Sequence, residues 1–219
     1  MNKNLLFLKI KNKISYLLYS GLLSRFGFGN KISKAVWEQQ YKDGTWNYLF
    51  SEDEAAHYFS ICEQIEKHAV SVSILDIGCG NGVLYDYLQN KFDDRLLYNG
   101  VDISGNAIES ARKKFPSSVF NKADYDNAAV AGKYDVVVFN ETLYYFTKPM
   151  KTVVKAFSEN LKNGGVLVIS MCEDVKHNGI WDRIKTEYRV LAEETVENKK
   201  GQKWTIKTIA SFKQKQQSE

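Results

Sequence analysis

Between residues 73 and 88 the chain reads SILDIGCGNGVLYDYL, an apolar run that meets Asp76 and then Gly78, Gly80 and Gly82. Glycine turns between a strand and a helix often cradle phosphates, but a dinucleotide fingerprint needs G-x-G-x-x-G. Here the spacing is G-x-G-x-G, one residue short, and Asp76 stands two residues before the turn. A carboxylate there repels a pyrophosphate and attracts a positively charged amino group. Asp102 ends a second apolar run, twenty residues after Gly82. A carboxylate so placed can accept hydrogen bonds from two ribose hydroxyls. Asp124 follows a third run and can accept from an exocyclic adenine amine. Together these residues ask for a ligand with an amine, a ribose, an adenine and no phosphate, a description that S-adenosylmethionine meets.

The elements that must position these residues alternate. Strands are expected over 73–78, 96–104, 117–124, 133–143 and 165–171, with helices after the glycine turn, after Ser104 as a cap, and over 150–163 up to Gly164–Gly165. Strand–helix alternation with apolar runs implies a parallel sheet covered on both faces. Two β-like runs, 188–198 and 202–212, close the chain with only a short turn between them and should pair as an antiparallel hairpin. The fold class expected is α/β, a Rossmann-like doubly wound seven-stranded sheet, mostly parallel with an antiparallel C-terminal hairpin.

LDIGCGNG, VDIS, KAD and YDVVVFNETLYYF, in this order and spacing, resemble the class I S-adenosylmethionine-dependent methyltransferases. The resemblance covers roughly residues 60–212. It implies that Asp76, Gly78 and Gly80 surround the methionine part of the cofactor, that Asp102 holds the ribose, and that Asp124 meets adenine. Cys79, Ile103, Tyr125 and Asn140 are then cofactor-lining neighbours, with Cys79 a small buried filler rather than a nucleophile. In such enzymes the segment before the first strand covers the cofactor, which assigns residues 36–70 to that task and makes Tyr41 and Trp46 the aromatic candidates. A cation over an aromatic face gains ~0.5–2 kcal/mol. Alignment of acceptor and methyl can supply up to ~7–11 kcal/mol, so the protein chiefly needs a place for the acceptor's proton. Glu141 and Tyr144 after the fourth strand and His177 after the fifth are the catalytic candidates. No metal ligand set is expected, since Cys62, Cys79 and Cys172 fit neither a disulfide framework nor a zinc spacing.

The acceptor is less marked. NETL at 140–143 departs from the N-P-P-Y type of motif of amino-base nucleic-acid methyltransferases. The pairing of WEQQYKDGTWNYL with NETLYYF resembles methyltransferases of bacterial surface-glycan clusters and, more distantly, nodulation-factor N-methyltransferases. This favours a sugar or glycan hydroxyl or amine. Competing readings are an RNA or protein methyltransferase and a non-catalytic cofactor-binding subunit, which the intact acidic positions oppose.

Charge divides the chain of 219 residues. The formal charge is +4, yet residues 1–37 hold seven Lys or Arg and no Asp or Glu, leaving a net −3 elsewhere. A nucleic-acid groove is therefore not evident in the body. The domains expected are a basic amphipathic arm, 1–35, and a single methyltransferase domain, 36–219. Leu5–Leu8 is too short to span a bilayer, and lysines interrupt any signal core. The arm is either a cap on the domain or, over residues 1–30, a contact for an anionic membrane surface. A cytoplasmic protein, peripheral at most to the inner face of the membrane, is the expectation. No motif fixes the oligomeric state.

Overall fold

The structure is a computed structural model describing residues 13–14, 16–174 and 177–212. Seven strands form one sheet in the order β3-β2-β1-β4-β5-β7-β6. These are β1 Ser73–Ile77, β2 Leu97–Asp102, β3 Val119–Lys122, β4 Tyr134–Asn140, β5 Leu161–Cys172, β6 Arg189–Glu197 and β7 Lys203–Ala210. The first five run parallel; β7 lies antiparallel to both β5 and β6. The helices are α1 Lys34–Lys42, α2 Ala55–His68, α3 Val83–Phe92, α4 Gly105–Lys114, α5 Pro149–Lys155 and α6 Asn178–Glu187.

The strand alternation decides which helix covers which face. Leu75, Ile77, Val137, Phe139, Leu167 and Ile169 pack with Met150 and Val153 of α5 and Ile180 and Ile184 of α6. Their neighbours Ile74, Val136, Val138, Val166 and Val168 pack on the other side with Ile61 and Ile65 of α2 and Leu84 and Leu88 of α3. β1 is buried along its whole length, as a central parallel strand covered on both faces must be. The strand order reverses between β1 and β4, and in such sheets a crevice opens beyond the carboxyl ends at that point.

Two elements depart from expectation. The helix anticipated over 150–163 leaves α geometry after Lys155, passes through a π turn at Ala156–Asn160, and gives way to β5 at Leu161 rather than at Gly165. The cause is Asn160, fully buried, which accepts from the Tyr125 hydroxyl (2.7 Å) and donates to the Val130 carbonyl (2.8 Å). Leu161 then pairs with Tyr134 ahead of a register shift. The other departure is the boundary at residue 36. Of the arm, residues 1–12 and 15 lie outside the described residues, but Tyr19, Ser24 and Asn30 are buried in the body. The Asn30 amide donates to the Tyr144 carbonyl (2.7 Å). Gly27 packs so closely on Gly179 of α6 that an added Cβ would sit 2.9 Å from the Gly179 carbonyl oxygen. Residues 19–32 thus pack as part of the domain, while Ile14, Leu17, Leu18, Leu22, Phe26 and Phe28 are exposed. Among the described residues no helix is long and apolar enough to cross a membrane.

Candidate active site

At the carboxyl ends of β1 and β4 lies a cavity of about 350 Å³, within the range of small-molecule sites. Tyr41, Trp46, Asp76, Gly78, Cys79, Gly80, Asp102, Ile103, Asp124, Tyr125, Asn140, Glu141, Tyr144 and His177 all line it.

One end is built on strand tips. Asp76 is 1% exposed and accepts from the Tyr98 hydroxyl (2.8 Å). Burial pushes its carboxyl up to about 7, the nearby Asp102 charge adds to this, and the Tyr98 bond opposes it. Asp102 accepts from the Gly80 amide (3.0 Å) and the Ser104 amide (2.8 Å). Burial outweighs those bonds and sets its carboxyl at about 6. The amides of Gly78 and Cys79 donate to the Val101 carbonyl at 2.7 and 3.0 Å, folding the glycine turn over β2. Gly80 has φ 55°, and a Cβ on it would meet the Tyr41 hydroxyl at 2.6 Å. A side chain at Gly78, at φ 81°, would overlap Thr142. Cys79 is buried, and burial, with the charges of Asp76 and Asp102, pushes its thiol well above the ordinary range, so it is no nucleophile. Asp124 accepts from the Asp126 amide (3.2 Å) and the Asn127 side chain (2.8 Å). Tyr125 donates its hydroxyl to Asn160, outside the cavity lining.

The covering segment is latched by Glu38, which the sequence reading passed over. From α1 it accepts from the Ser104 hydroxyl (2.8 Å) and from the amides of Gly105 and Asn106 (both 2.9 Å), the open N–H groups that begin α4. Burial works against its charge, but the Asn106 and Gly105 amides and the Ser104 hydroxyl prevail and hold it at about 2. One helical turn on, Tyr41 reaches the glycine turn. Trp46 packs against Trp37, ring centroids 5.8 Å apart, and its buried Nε1 has no hydrogen-bond partner among the described residues.

The other end is assembled from distant segments. Glu141 holds φ 56°, a left-handed conformation costing about 1–3 kcal/mol in a non-glycine residue. Its carboxylate accepts from the Tyr144 hydroxyl (2.9 Å) and the Ser170 hydroxyl (3.3 Å). Burial nevertheless pushes it up to about 8. His177, after β5, is buried rather than open to solvent. It sits at the start of α6, stacks on Tyr144 (4.4 Å, 12°) and shares a 2.6 Å hydrogen bond between Nδ1 and the Tyr19 hydroxyl. Burial lowers it to about 4, so its ring is neutral and weakly basic, which leaves Glu141 the stronger proton acceptor of the pair. Tyr19, Glu54, His57 and Trp204 also line the cavity. No sequence signal pointed to them, because each reaches the site only through tertiary packing.

Residues 75–167 match the family model described as a methyltransferase domain. Over 143 residues the chain is 37% identical to malonyl-[acyl-carrier protein] O-methyltransferase of Acetivibrio thermocellus, covering 64% of this chain and 50% of the relative. It is 27% identical over 122 residues to dTDP-3-amino-3,4,6-trideoxy-alpha-D-glucopyranose N,N-dimethyltransferase of Streptomyces venezuelae, covering 54% of this chain and 50% of that one. The chain thus spans about half the length of these curated relatives. The N-methyltransferase NodS of Bradyrhizobium japonicum WM9, solved with S-adenosyl-L-homocysteine, shares the fold at a TM-score of 0.63 and 18% identity, over 81% of this chain and 99% of that one. With its reversed C-terminal hairpin, its carboxylate-tipped parallel strands and a methyltransferase domain matched over residues 75–167, the chain is similar to the class I S-adenosylmethionine-dependent methyltransferases.

Proposed function

We propose that the protein transfers a methyl group from S-adenosylmethionine to a hydroxyl or amine of a small molecule, with a sugar or glycan the favoured carrier. The observation that carries this is a single cavity with buried strand-tip carboxylates at one end and a hydrogen-bonded carboxylate, Glu141, at the other.

The residues present fit the cofactor. Asp76 and Asp102 are held above the usual carboxylate range by burial, a strain that a cationic ligand relieves. Asn81 Oδ1 and Asn140 Oδ1 are buried acceptors and Trp46 Nε1 a buried donor, each without a partner among the described residues and each on a residue lining the cavity. In this reading Asp76 and Asn140 receive the ammonium, Trp46 and Tyr41 donate to the carboxylate, Asp102 accepts from the ribose and Asp124 from adenine. When bound, the cofactor supplies an electrophilic methyl group on a sulfonium. α1 and the Trp46 segment exclude water, Tyr144 and Ser170 orient the Glu141 carboxylate, and Glu141 takes the acceptor's proton. The faces of Tyr48, Tyr144 and Tyr145 give sugar rings an apolar surface, and the Streptomyces relative is named for an amino-sugar acceptor. Calorimetry tests the cofactor assignment: S-adenosylmethionine should bind and NAD should not, and tighter binding of NAD would sink it. Labelled-methyl transfer to sugar nucleotides, amino sugars, lipid-linked glycans and RNA tests the acceptor class.

The exposed Leu17, Leu18, Leu22, Phe26 and Phe28, beside Lys13, Arg25 and Lys34, support contact between the arm and the anionic inner face of a membrane. Each basic residue near such a surface contributes roughly 1 kcal/mol. Co-sedimentation with phosphatidylserine vesicles should be strong at low salt and weak at high salt; its absence at low salt leaves the arm a purely structural cap.

A further inference from the structure

The charges on the cavity wall are one-sided. Glu54, Asp76, Asp102, Asp124, Asp126, Glu141 and Asp174 line it, against Lys31 as the sole Lys or Arg among the described residues. Lys31 is already paired with Asp126 at 2.8 Å. The two histidines add no charge, since burial holds His57 at about 3 and His177 at about 4. With Asp76, Asp102 and Asp124 given to the cofactor, Glu54, Glu141 and Asp174 remain. They share one end: the Tyr48 phenol feels all three charges, Glu141 feels Glu54, and Glu54 feels Asp174. Lys200, whose charge reaches Glu54, is held by Asp53 at 2.6 Å and does not line the cavity.

The rest of this end is aromatic. Trp204 stacks on His57 (4.6 Å, 21°), and Tyr58 and Tyr144 complete the wall. His57 is 1% exposed, yet neither of its ring nitrogens has a hydrogen-bond partner among the described residues. Carboxylates and aromatic faces with no cation among them make a site for a positive charge, and an unpartnered imidazole beside them can bond a hydroxyl of whatever carries it. An anionic acceptor would face three carboxylates and no counter-charge.

We propose that the methyl acceptor is an amine, held as its ammonium among Glu54, Glu141 and Asp174, and that Glu141 removes its proton. This rests on the methyl-transfer reading above and narrows its acceptor from hydroxyl or amine to amine. The Tyr144 and Ser170 hydroxyls and the Cys172 backbone amide bond the Glu141 carboxylate, and three donors on four lone-pair positions leave one for the substrate. An ammonium N–H bond breaks with its electron pair staying on nitrogen, and the proton joins Glu141. That pair forms the N–CH₃ bond while the pair of the S–CH₃ bond departs with sulfur. The product is again an ammonium, one methyl richer.

The test uses the full chain saturated with S-adenosylhomocysteine and titrated with cyclohexylammonium, cyclohexanol and cyclohexanecarboxylate, which differ in charge and little in shape. The ammonium should bind at least tenfold tighter than the alcohol, and the carboxylate should not bind measurably. Glu141→Gln and Glu54→Gln should each cut that preference at least fivefold, with the S-adenosylhomocysteine affinity within twofold of the parent. If either variant melts far below the parent, Asp174→Asn at the cavity mouth replaces it. Alcohol or carboxylate binding as tightly as the ammonium, or no ammonium binding at millimolar concentration, overturns the proposal. Failure of S-adenosylhomocysteine to bind overturns the cofactor reading instead, so the two failures are distinct.

Discussion

The two ends of the cavity are made in different ways. The end proposed for the cofactor takes Asp76, Asp102 and Asp124 from the ends of three successive parallel strands, all within residues 76–124. The end proposed for the acceptor draws Tyr19, Glu54, Glu141, Asp174 and Trp204 from segments spread over nearly the whole chain. A strand tip is placed by sheet topology, so once the strands pair, their carboxylates converge whatever the loops do. The acceptor end exists only after the arm, α2, the β4 loop, the β5–α6 turn and the terminal hairpin have packed together. Chemistry shared by many enzymes can sit on the first kind of construction, and substrate choice on the second.

If the ends are separable, a change at one should leave the other intact. Glu141→Gln keeps the shape and the bond from Tyr144 but cannot take a proton. The turnover rate should fall by about 10²- to 10⁴-fold, while S-adenosylhomocysteine affinity stays within twofold. A parallel loss of affinity would show that the division is false. Asp102→Ala should do the reverse. It removes the acceptor of the Gly80 and Ser104 amides together with the ribose bonds proposed for it, each worth roughly 1.5–3 kcal/mol at a charged group. Cofactor affinity should drop at least tenfold, with cyclohexylammonium binding in a folded variant unchanged; unaltered cofactor affinity would reduce Asp102 to a helix cap. Glu38→Ala sharpens the comparison from the side of the cover. It frees α1 from the start of α4 without touching the cavity wall, so cofactor affinity should weaken by about three- to tenfold while the rate at saturation holds. A fall in the saturated rate instead would mean that α1 also positions the acceptor.

The same contrast explains what the sequence made legible. The seven strands, the mostly parallel sheet and its antiparallel last hairpin could be read because apolar runs, glycine spacing and the helix-free hairpin are local signals. The short glycine motif with Asp76 pointed to a phosphate-free ligand for the same reason. The helix end near Asn160 was missed because a side chain bonded to the segment between β3 and β4, and not the Gly164–Gly165 pair, stops the helix. Tyr19 was invisible within a stretch that reads only as basic and amphipathic, since its partner His177 lies 158 residues away. Glu38 carried a faint signal as the first acidic residue after seven basic ones, but its role depends on the open amides of α4.

The smallest expected effect concerns pH and links the two ends. Asp76 at about 7, Asp102 at about 6 and Glu141 at about 8 lie above their unfolded values of 3.8 for Asp and 4.5 for Glu. Between the unfolded and folded values the native state holds more protons, so each group lowers stability as pH rises. His57 at about 3 and His177 at about 4 lie below 6.5 and act in the opposite sense, raising stability until the unfolded histidines have lost their protons near pH 6.5. Above that point the histidine contribution ends, Asp102 is largely ionised, and Asp76 and Glu141 remain. Each can change stability by at most about 1.4 kcal/mol per pH unit. The ligand-free protein should therefore melt a few degrees lower at pH 7.5 than at pH 6.5. Glu141→Gln, which cannot titrate, should flatten most of that slope, and S-adenosylmethionine should stabilise more at pH 7.5, where Asp76 is more fully ionised to meet its ammonium. A melting temperature that rises over this interval would mean that water or a bound cation already relieves the buried carboxylates. A slope unchanged in Glu141→Gln would place the titrating group at the cofactor end alone.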